Sequence, residues 1–209
     1  MKRPRVLLAD DHTLFIQALQ KLLEPEFEVV GTVGDGRALL GLAVELKPDA
    51  VVIDIGMPLL NGLDAGKRLK EMRPDTKIIY LTQNRDGALA AEAFRSKASG
   101  YLLKNSAAWE LVTALHEAVA GRCYISPFIA EGTLDSIFKQ PHVKADLTPR
   151  QREVLQLLTE GHSMKEIATV LNVTSRTVEF HKYRIMEVLK VKTNAGLVQY
   201  AIKHGMISI

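Results

Sequence analysis

The sequence holds a single cysteine, Cys123. No disulfide can form within the chain, and a reducing compartment suits it. Also missing is any apolar run near the roughly 18 to 20 residues that a membrane span requires. The N-terminus, MKRPRVLLADDH, meets acidic residues after only four apolar ones, which excludes a secretory signal. Internal repeats and low-complexity tracts are absent too, and a hydrophobic share of 47% excludes a disordered class. These absences leave a cytoplasmic globular chain with no membrane partner. Its 209 residues suffice for two small domains.

The net charge of +3 is small but uneven. Residues 1–124 hold 16 basic and 16 acidic side chains, whereas residues 144–209 hold 10 basic and 6 acidic. A neutral front and a basic tail point to nucleic acid as a partner of the tail alone. Four excess charges also suit a plain solvated face.

Up to residue 121, short apolar runs alternate with helical patterns. The runs are RVLLA (5–9), EVVGTV (28–33), AVVID (50–54), KIIYLT (77–82) and GYLL (100–103). Helical patterns lie near 12–24, 36–47, 62–72, 86–97 and 107–120; in the first, Leu14, Phe15, Ala18 and Leu22 share one face. This alternation predicts βαβ units with right-handed crossovers, an α/β fold around a five-stranded parallel sheet. AVVID and KIIYLT are apolar without alternation, as strands covered on both faces are. Residues 122–145 break the pattern. YISPFIAEGTLDSIF leaves room for one more helix, and KQPHVKAD (139–146) reads as a linker. Over 146–209 only helical patterns remain, four in number.

In a parallel sheet, ligands bind beyond the carboxyl ends of the strands. Asp10 and Asp11 follow the first predicted strand, Asp54 ends the third, Thr82 ends the fourth and Lys104 follows the fifth. Two charges 4 Å apart repel by about 1 to 4 kcal/mol at effective dielectrics between those of water and a protein surface. Such a cluster favours a divalent cation, and an oxygen-only donor set points to magnesium, Mg2+. Taken alone, each acid also suits a helix cap; a shared site accounts for all five positions.

LLADDH, VVIDIGMPLLNG, YLT and GYLLK, in this order and spacing, resemble the receiver domain of two-component response regulators over residues 4–121. The resemblance implies a flavodoxin-like, doubly wound domain at 1–121 that accepts a phosphoryl group on Asp54 from a sensor histidine kinase. Asp54 is then the nucleophile. Asp10, Asp11, Asp54 and the backbone carbonyl of Gly56 hold Mg2+, Lys104 pairs with a phosphoryl oxygen, and Thr82 and Tyr101 form the switch. Read without the resemblance, Tyr101 is an ordinary strand aromatic. Three departures stand out. Gln83 follows Thr82 where the family often has a small residue. Gly56 offers no side chain to orient water beside Asp54. Asn105 follows Lys104 where many receivers carry proline, so a cis bond there would cost roughly 3 kcal/mol.

Two other classes compete. An aspartyl-phosphate hydrolase would carry a second acid two residues after the nucleophile, and that position is Gly56. The expectation is therefore a phosphoacceptor with self-directed chemistry at most, not an enzyme. A phosphorylation-independent interaction module is disfavoured by the intact Asp11, Asp54, Thr82 and Lys104.

In the tail, LTPRQREVLQLLTEG opens with Thr148 as N-cap and Pro149 at the first helical position, and Gly161 closes it. Ser163 and Glu166 are spaced as a capping box. With SMKEIATVLNVTSRTVEFHKYRIMEVL, this stretch resembles the LuxR-type helix-turn-helix. The whole chain resembles a NarL/FixJ-type response regulator: receiver 1–121, linker 122–145, DNA-binding domain 146–209. Ile167, Ala168, Leu171, Val173, Val178 and Ile185 are the implied core, with Asn172 at the turn. At about 100° per residue, Val178, Ile185 and Leu189 share one face of the third helix. Arg176, Phe180 and Tyr183 share the opposite one, flanked by Glu179 and Arg184. That face is expected in the major groove of double-stranded DNA. Glu179 can accept from cytosine N4 and Phe180 can pack on a thymine methyl; a solvated Glu179 is the alternative. Arg176, His181, Lys182 and Arg184 suit phosphates, and Thr177 completes the DNA-binding set. The last helix holds more apolar residues than the small core needs. The resemblance makes the excess a homodimer face over two related half-sites.

Overall fold

In a computed structural model of the chain, residues 2–106, 108–138 and 147–207 are described. Six parallel strands form one sheet: β1 (Arg5–Ala9), β2 (Glu28–Val33), β3 (Ala50–Asp54), β4 (Lys77–Thr82), β5 (Gly100–Leu103) and β6 (Tyr124–Ile125). Their order is β2-β1-β3-β4-β5-β6. The five predicted strands are in place, and the expectation of a five-stranded sheet is corrected by β6. Two residues are too short to show any hydrophobic period. Backbone bonds hold them to β5: Tyr124 N donates to Ser99 O and Ser126 N to Tyr101 O, both at 3.0 Å.

Helices cover both faces, which makes the fold doubly wound. Val6, Leu8, Val52 and Ile79 pack with α1 (Thr13–Leu23) and α5 (Ala108–Val119). Leu7, Val51, Ile53 and Tyr80 pack with α2 (Gly36–Leu46), α3 (Gly62–Met72) and α4 (Gly87–Arg95). All five residues of β3 are buried, and each large apolar side chain buried this way contributes about 1.5 to 3 kcal/mol. In α1 the expected stripe is corrected. The sheet-facing residues are Ile16, Leu19 and Leu23, while Leu14 is 82% exposed. The helix starts at Thr13, so the i, i+3, i+7 row that meets the sheet begins at Ile16.

Space is tight where α3 crosses β4. A Cβ on Gly66 would stand 1.9 Å from the Tyr80 hydroxyl oxygen. Gly66→Ala is therefore expected to displace the buried Tyr80 ring and cost about 1 to 3 kcal/mol, as overpacking does. A lowered urea midpoint for the first domain checks this; an unchanged midpoint would mean that the ring yields freely.

The helix that YISPFIAEGTLDSIF left room for is α6 (Pro127–Phe138). It lies on α4, where a Cβ on Gly87 would meet the Gly132 carbonyl carbon at 2.3 Å. From it, Ile129 enters the same apolar cluster as Tyr101. The proposed linker KQPHVKAD lies outside the described residues.

Four helices follow: α7 (Pro149–Thr159), α8 (Met164–Leu171), α9 (Ser175–Leu189) and α10 (Asn194–Lys203). Thr148 caps α7 in a box with Gln151, and Ser163 and Glu166 cap α8 reciprocally. Asn172 takes the left-handed conformation at φ 53°, which lets α9 turn across α8. Val154, Leu157, Ile167, Leu171, Val178, Ile185 and Leu197 are buried at the centre, and Val173 is partly buried against them.

Candidate functional site

The carboxyl ends of β1, β3, β4 and β5 meet at one edge of the sheet, as the parallel order requires. Asp10 and Asp54 are each 4% exposed, and Thr82 is equally buried. Lys104 reaches both acids, with Nζ 2.8 Å from Asp10 Oδ2 and 2.9 Å from Asp54 Oδ2. Its ammonium stands 5.2 Å from the centre of the Phe15 ring, and its backbone N–H donates to Thr82 O at 2.7 Å. The Lys104–Asn105 bond is trans, since no cis peptide occurs among the described residues.

Burial pushes the Asp54 carboxyl above the ordinary carboxylate range. Lys104 opposes that shift, Asp10 adds to it, and the Gly56 N–H, bonded to the carboxylate, lowers it. Gly62 lets α3 begin hard against this strand end, because a Cβ there would lie 2.1 Å from Asp54 O.

Asp10, Asp11, His12 and Asp54 each bring a ligand atom within 4.8 Å of the others. Three carboxylates facing one ammonium keep a surplus of negative charge. This donor set fits a hard divalent cation. Sequence reasoning missed His12, whose Nδ1 lies 3.0 Å from Asp10 Oδ1 and 2.9 Å from Asp11 Oδ1. The adjacency DDH was the available signal.

Removing the Lys104 charge tests this balance. In Lys104→Met a divalent cation held by these acids would no longer meet a repelling ammonium, and affinity for Mg2+ is expected to rise about tenfold, from Coulomb's law at a few ångströms in a water-like dielectric. Calorimetric titration of Mg2+ checks this; unchanged affinity would place the cation elsewhere.

Thr82 Oγ1 accepts from Asn84 N at 3.0 Å. Tyr101 is fully buried, and burial pushes its hydroxyl up, partly offset by the neighbouring Thr82 hydroxyl. A pocket of about 100 Å³ opens on Asp54, with His12, Gly56, Thr82, Gln83 and Lys104 in its walls. Of the predicted acidic-site residues, Asp54, Gly56, Thr82 and Lys104 line this pocket, Asp10 and Asp11 lie beside Asp54, and Tyr101 is not among its walls; Gln83 stands exposed beside Thr82.

The second cluster of predicted residues lies on α9. Val178 and Ile185 point into the core at 0% exposure, while Phe180 and Tyr183 are 58% and 62% exposed. Arg176, Glu179 and Arg184 are exposed; Thr177, His181 and Lys182 are half-buried. Arg184 pairs with Glu187 at 2.7 Å and stands 5.8 Å from the Phe180 ring centre. Among the described residues, no helix is long and apolar enough to cross a membrane.

Comparison with known proteins places both clusters in context. Residues 6–116 match the family model of the response regulator receiver domain, and residues 145–201 match that of bacterial regulatory proteins of the luxR family. The transcriptional regulatory protein MctR of Rhizobium johnstonii is 34% identical, over 98% of this chain and 95% of that protein. The oxygen regulatory protein NreC of Staphylococcus epidermidis is 32% identical, over 97% of this chain and 99% of that one. Among solved structures, RcsB of Salmonella enterica serovar Typhimurium, bound to promoter DNA with a beryllofluoride phosphomimetic, aligns with a TM-score of 0.67. It is 28% identical, over 97% of this chain and all of that one.

Proposed function

This chain belongs to the NarL/FixJ-type response regulators, a receiver domain followed by a LuxR-type DNA-binding domain that regulates transcription, and on that premise we propose that phosphorylation of Asp54 controls its binding to DNA. One observation carries the reading: a buried carboxylate, Asp54, shares the Lys104 ammonium with Asp10 beside a buried hydroxyl, Thr82.

Asp54 is the nucleophile in this reading. One of its oxygens forms the O–P bond while the P–N bond of a sensor kinase's phosphohistidine breaks, and the imidazole leaves with the electron pair. Lys104 then moves its attention from two carboxylates to the phosphoryl oxygens, a charge-assisted contact. Thr82 donates to another oxygen, and Tyr101, already inside, packs behind it. Asp10, Asp11, Asp54 and the Gly56 carbonyl would hold Mg2+, which neutralises charge on the phosphoryl oxygens when bound. No acid stands at Gly56 to serve an outside leaving group, so the chemistry is self-directed rather than that of an enzyme with turnover on other substrates.

The proposed boundaries are 1–121 for the receiver, 122–145 for the linker and 146–209 for the DNA-binding domain, with β6 and α6 of the linker packed on the receiver's sheet and on α4. In the cytoplasm, two copies read two half-sites, the exposed face of α9 entering the major groove. Arg176, Thr177, His181, Lys182 and Arg184 contact phosphates, and Glu179, Phe180 and Tyr183 face base edges. The solved RcsB–DNA complexes support this role for the tail. In-vitro selection of bound DNA, with and without beryllofluoride and Mg2+, tests the proposal. An inverted pair of half-sites, enriched more strongly with beryllofluoride, is the expected result; identical enrichment without it would count against phosphoryl control.

A further inference from the structure

The outer face of α9 carries more than charge. Among the described residues, four Phe, Tyr or Trp side chains are exposed: Trp109, Phe128, Phe180 and Tyr183. The last two stand three residues apart on this one helix, where side chains are surface neighbours. Phe180 is also held from two sides. The Arg184 guanidinium stands 5.8 Å from its ring centre, one turn further on. The His181 ring meets it edge-on, with centroids 5.8 Å apart and planes at 66°. Arg184 is itself tied, since its Nη1 donates to Glu187 Oε2 at 2.7 Å. The guanidinium keeps further N–H groups for a phosphate. These contacts fix the direction of the phenyl ring yet leave the side chain 58% exposed, so little ordering remains to be done on binding.

Glu179, the preceding residue, is exposed, and the ion pair on this part of α9 joins Arg184 to Glu187 instead. DNA phosphates repel a carboxylate that enters the groove, so it needs a donor there. Cytosine N4 is one, whereas guanine and thymine offer oxygen acceptors at that edge. Beside the C4 amino group of a pyrimidine lies C5, which carries a methyl group in thymine and in 5-methylcytosine. A carboxylate followed by a fixed phenyl ring therefore matches an amino group followed by a methyl. Both lie on one 5-methylcytosine, or on a cytosine and a neighbouring thymine.

We propose that Phe180 forms a slot for the C5-methyl group of a pyrimidine, with Arg184 as its positioning residue, and that DNA affinity depends on that methyl. The inference rests on α9 entering the major groove. Covering one methyl group is worth about fourfold in affinity per half-site.

The test uses the full chain with beryllofluoride and Mg2+ and the duplex it selects in vitro, read by fluorescence anisotropy at one salt concentration, since salt shifts every DNA affinity. In one series each thymine of a half-site is replaced in turn by deoxyuridine, which removes the methyl and keeps the pairing. In a second series each cytosine is replaced by 5-methylcytosine, which adds one. A thymine source predicts about fourfold weaker binding at one deoxyuridine position. A 5-methylcytosine source predicts about fourfold tighter binding at one cytosine. Phe180→Ala, a change on the exposed face, should make the methylated and unmethylated duplexes bind alike. Phe180→Leu keeps an apolar contact and should retain part of the ratio. Arg184→Ala should lower the ratio as well as the affinity; lost affinity with the ratio intact would overturn the positioning role. A ratio of one at every position, or a ratio that survives Phe180→Ala, overturns the slot. Each ratio compares duplexes on one state of the protein, so it stands whether or not beryllofluoride changes the affinity. A chain that selects no sequence would instead overturn α9 as the DNA-reading face, and the slot with it.

Discussion

Asp54→Asn should abolish phosphoryl uptake from acetyl phosphate and, with it, any tightening of DNA binding by that donor. The amide matches the carboxylate in shape. Its oxygen can still accept from Lys104 and from the Gly56 N–H, which both bind Asp54 now. A neutral amide is no nucleophile toward phosphorus, so the loss should be complete rather than partial. Stability should hold or rise. Burial raises the Asp54 pKa in the folded protein, so at neutral pH the ionised form opposes folding. Uptake of labelled phosphoryl, followed beside urea unfolding, separates the two effects. Label retained by the variant would move the acceptor role to Asp10 or Asp11.

Ile185→Ala should remove DNA binding while leaving Asp54 able to take up the phosphoryl group. Ile185 is fully buried on the inner face of α9, packed among Leu171, Val178 and Leu197. Truncation of such a residue costs about 2 to 5 kcal/mol through lost transfer and the cavity left behind. A domain this small holds only a few kcal/mol, at roughly 0.05 to 0.15 kcal/mol per residue, so most of its stability goes. The acid site draws on different clusters, centred on Val51, Ile53 and Tyr80 on one sheet face and Val52 and Ile79 on the other. Calorimetry should therefore show one transition lowered and one kept, with gel-shift binding lost. A single shared transition displaced as a whole would show that the two cores unfold as one.

Much of this was legible because burial leaves a trace in the sequence, an unbroken apolar run where both faces of a strand are covered. AVVID and KIIYLT read as strands since both faces of β3 and β4 are covered, and Asp54 and Thr82 then fell at one edge by topology alone. The capping pairs at Thr148 and Ser163 were equally plain, because each is local in sequence. Three features left no such trace. The two residues of β6 carry no period. His12 looked like part of a helix start until folding turned it onto Asp10 and Asp11. Gln156 and Glu153 read as interior positions of an ordinary helix, and only tertiary structure brings them to Asn61 and Arg37, 95 and 116 residues away. The apolar stripe of α1 misled for a related reason: Leu14 shares a helix face with Phe15 and Ala18, but the sheet lies toward Ile16.

The central claim is that Asp54, at the end of β3, takes the phosphoryl group. The most direct measurement is to treat the full chain with acetyl phosphate and Mg2+, reduce the acyl phosphate with borohydride and map the modified residue by mass spectrometry. Reduction at Asp54 alone, and none when Mg2+ is chelated, is the predicted result. Modification at Asp10 or Asp11 with Asp54 untouched, or none at any carboxylate, would contradict it.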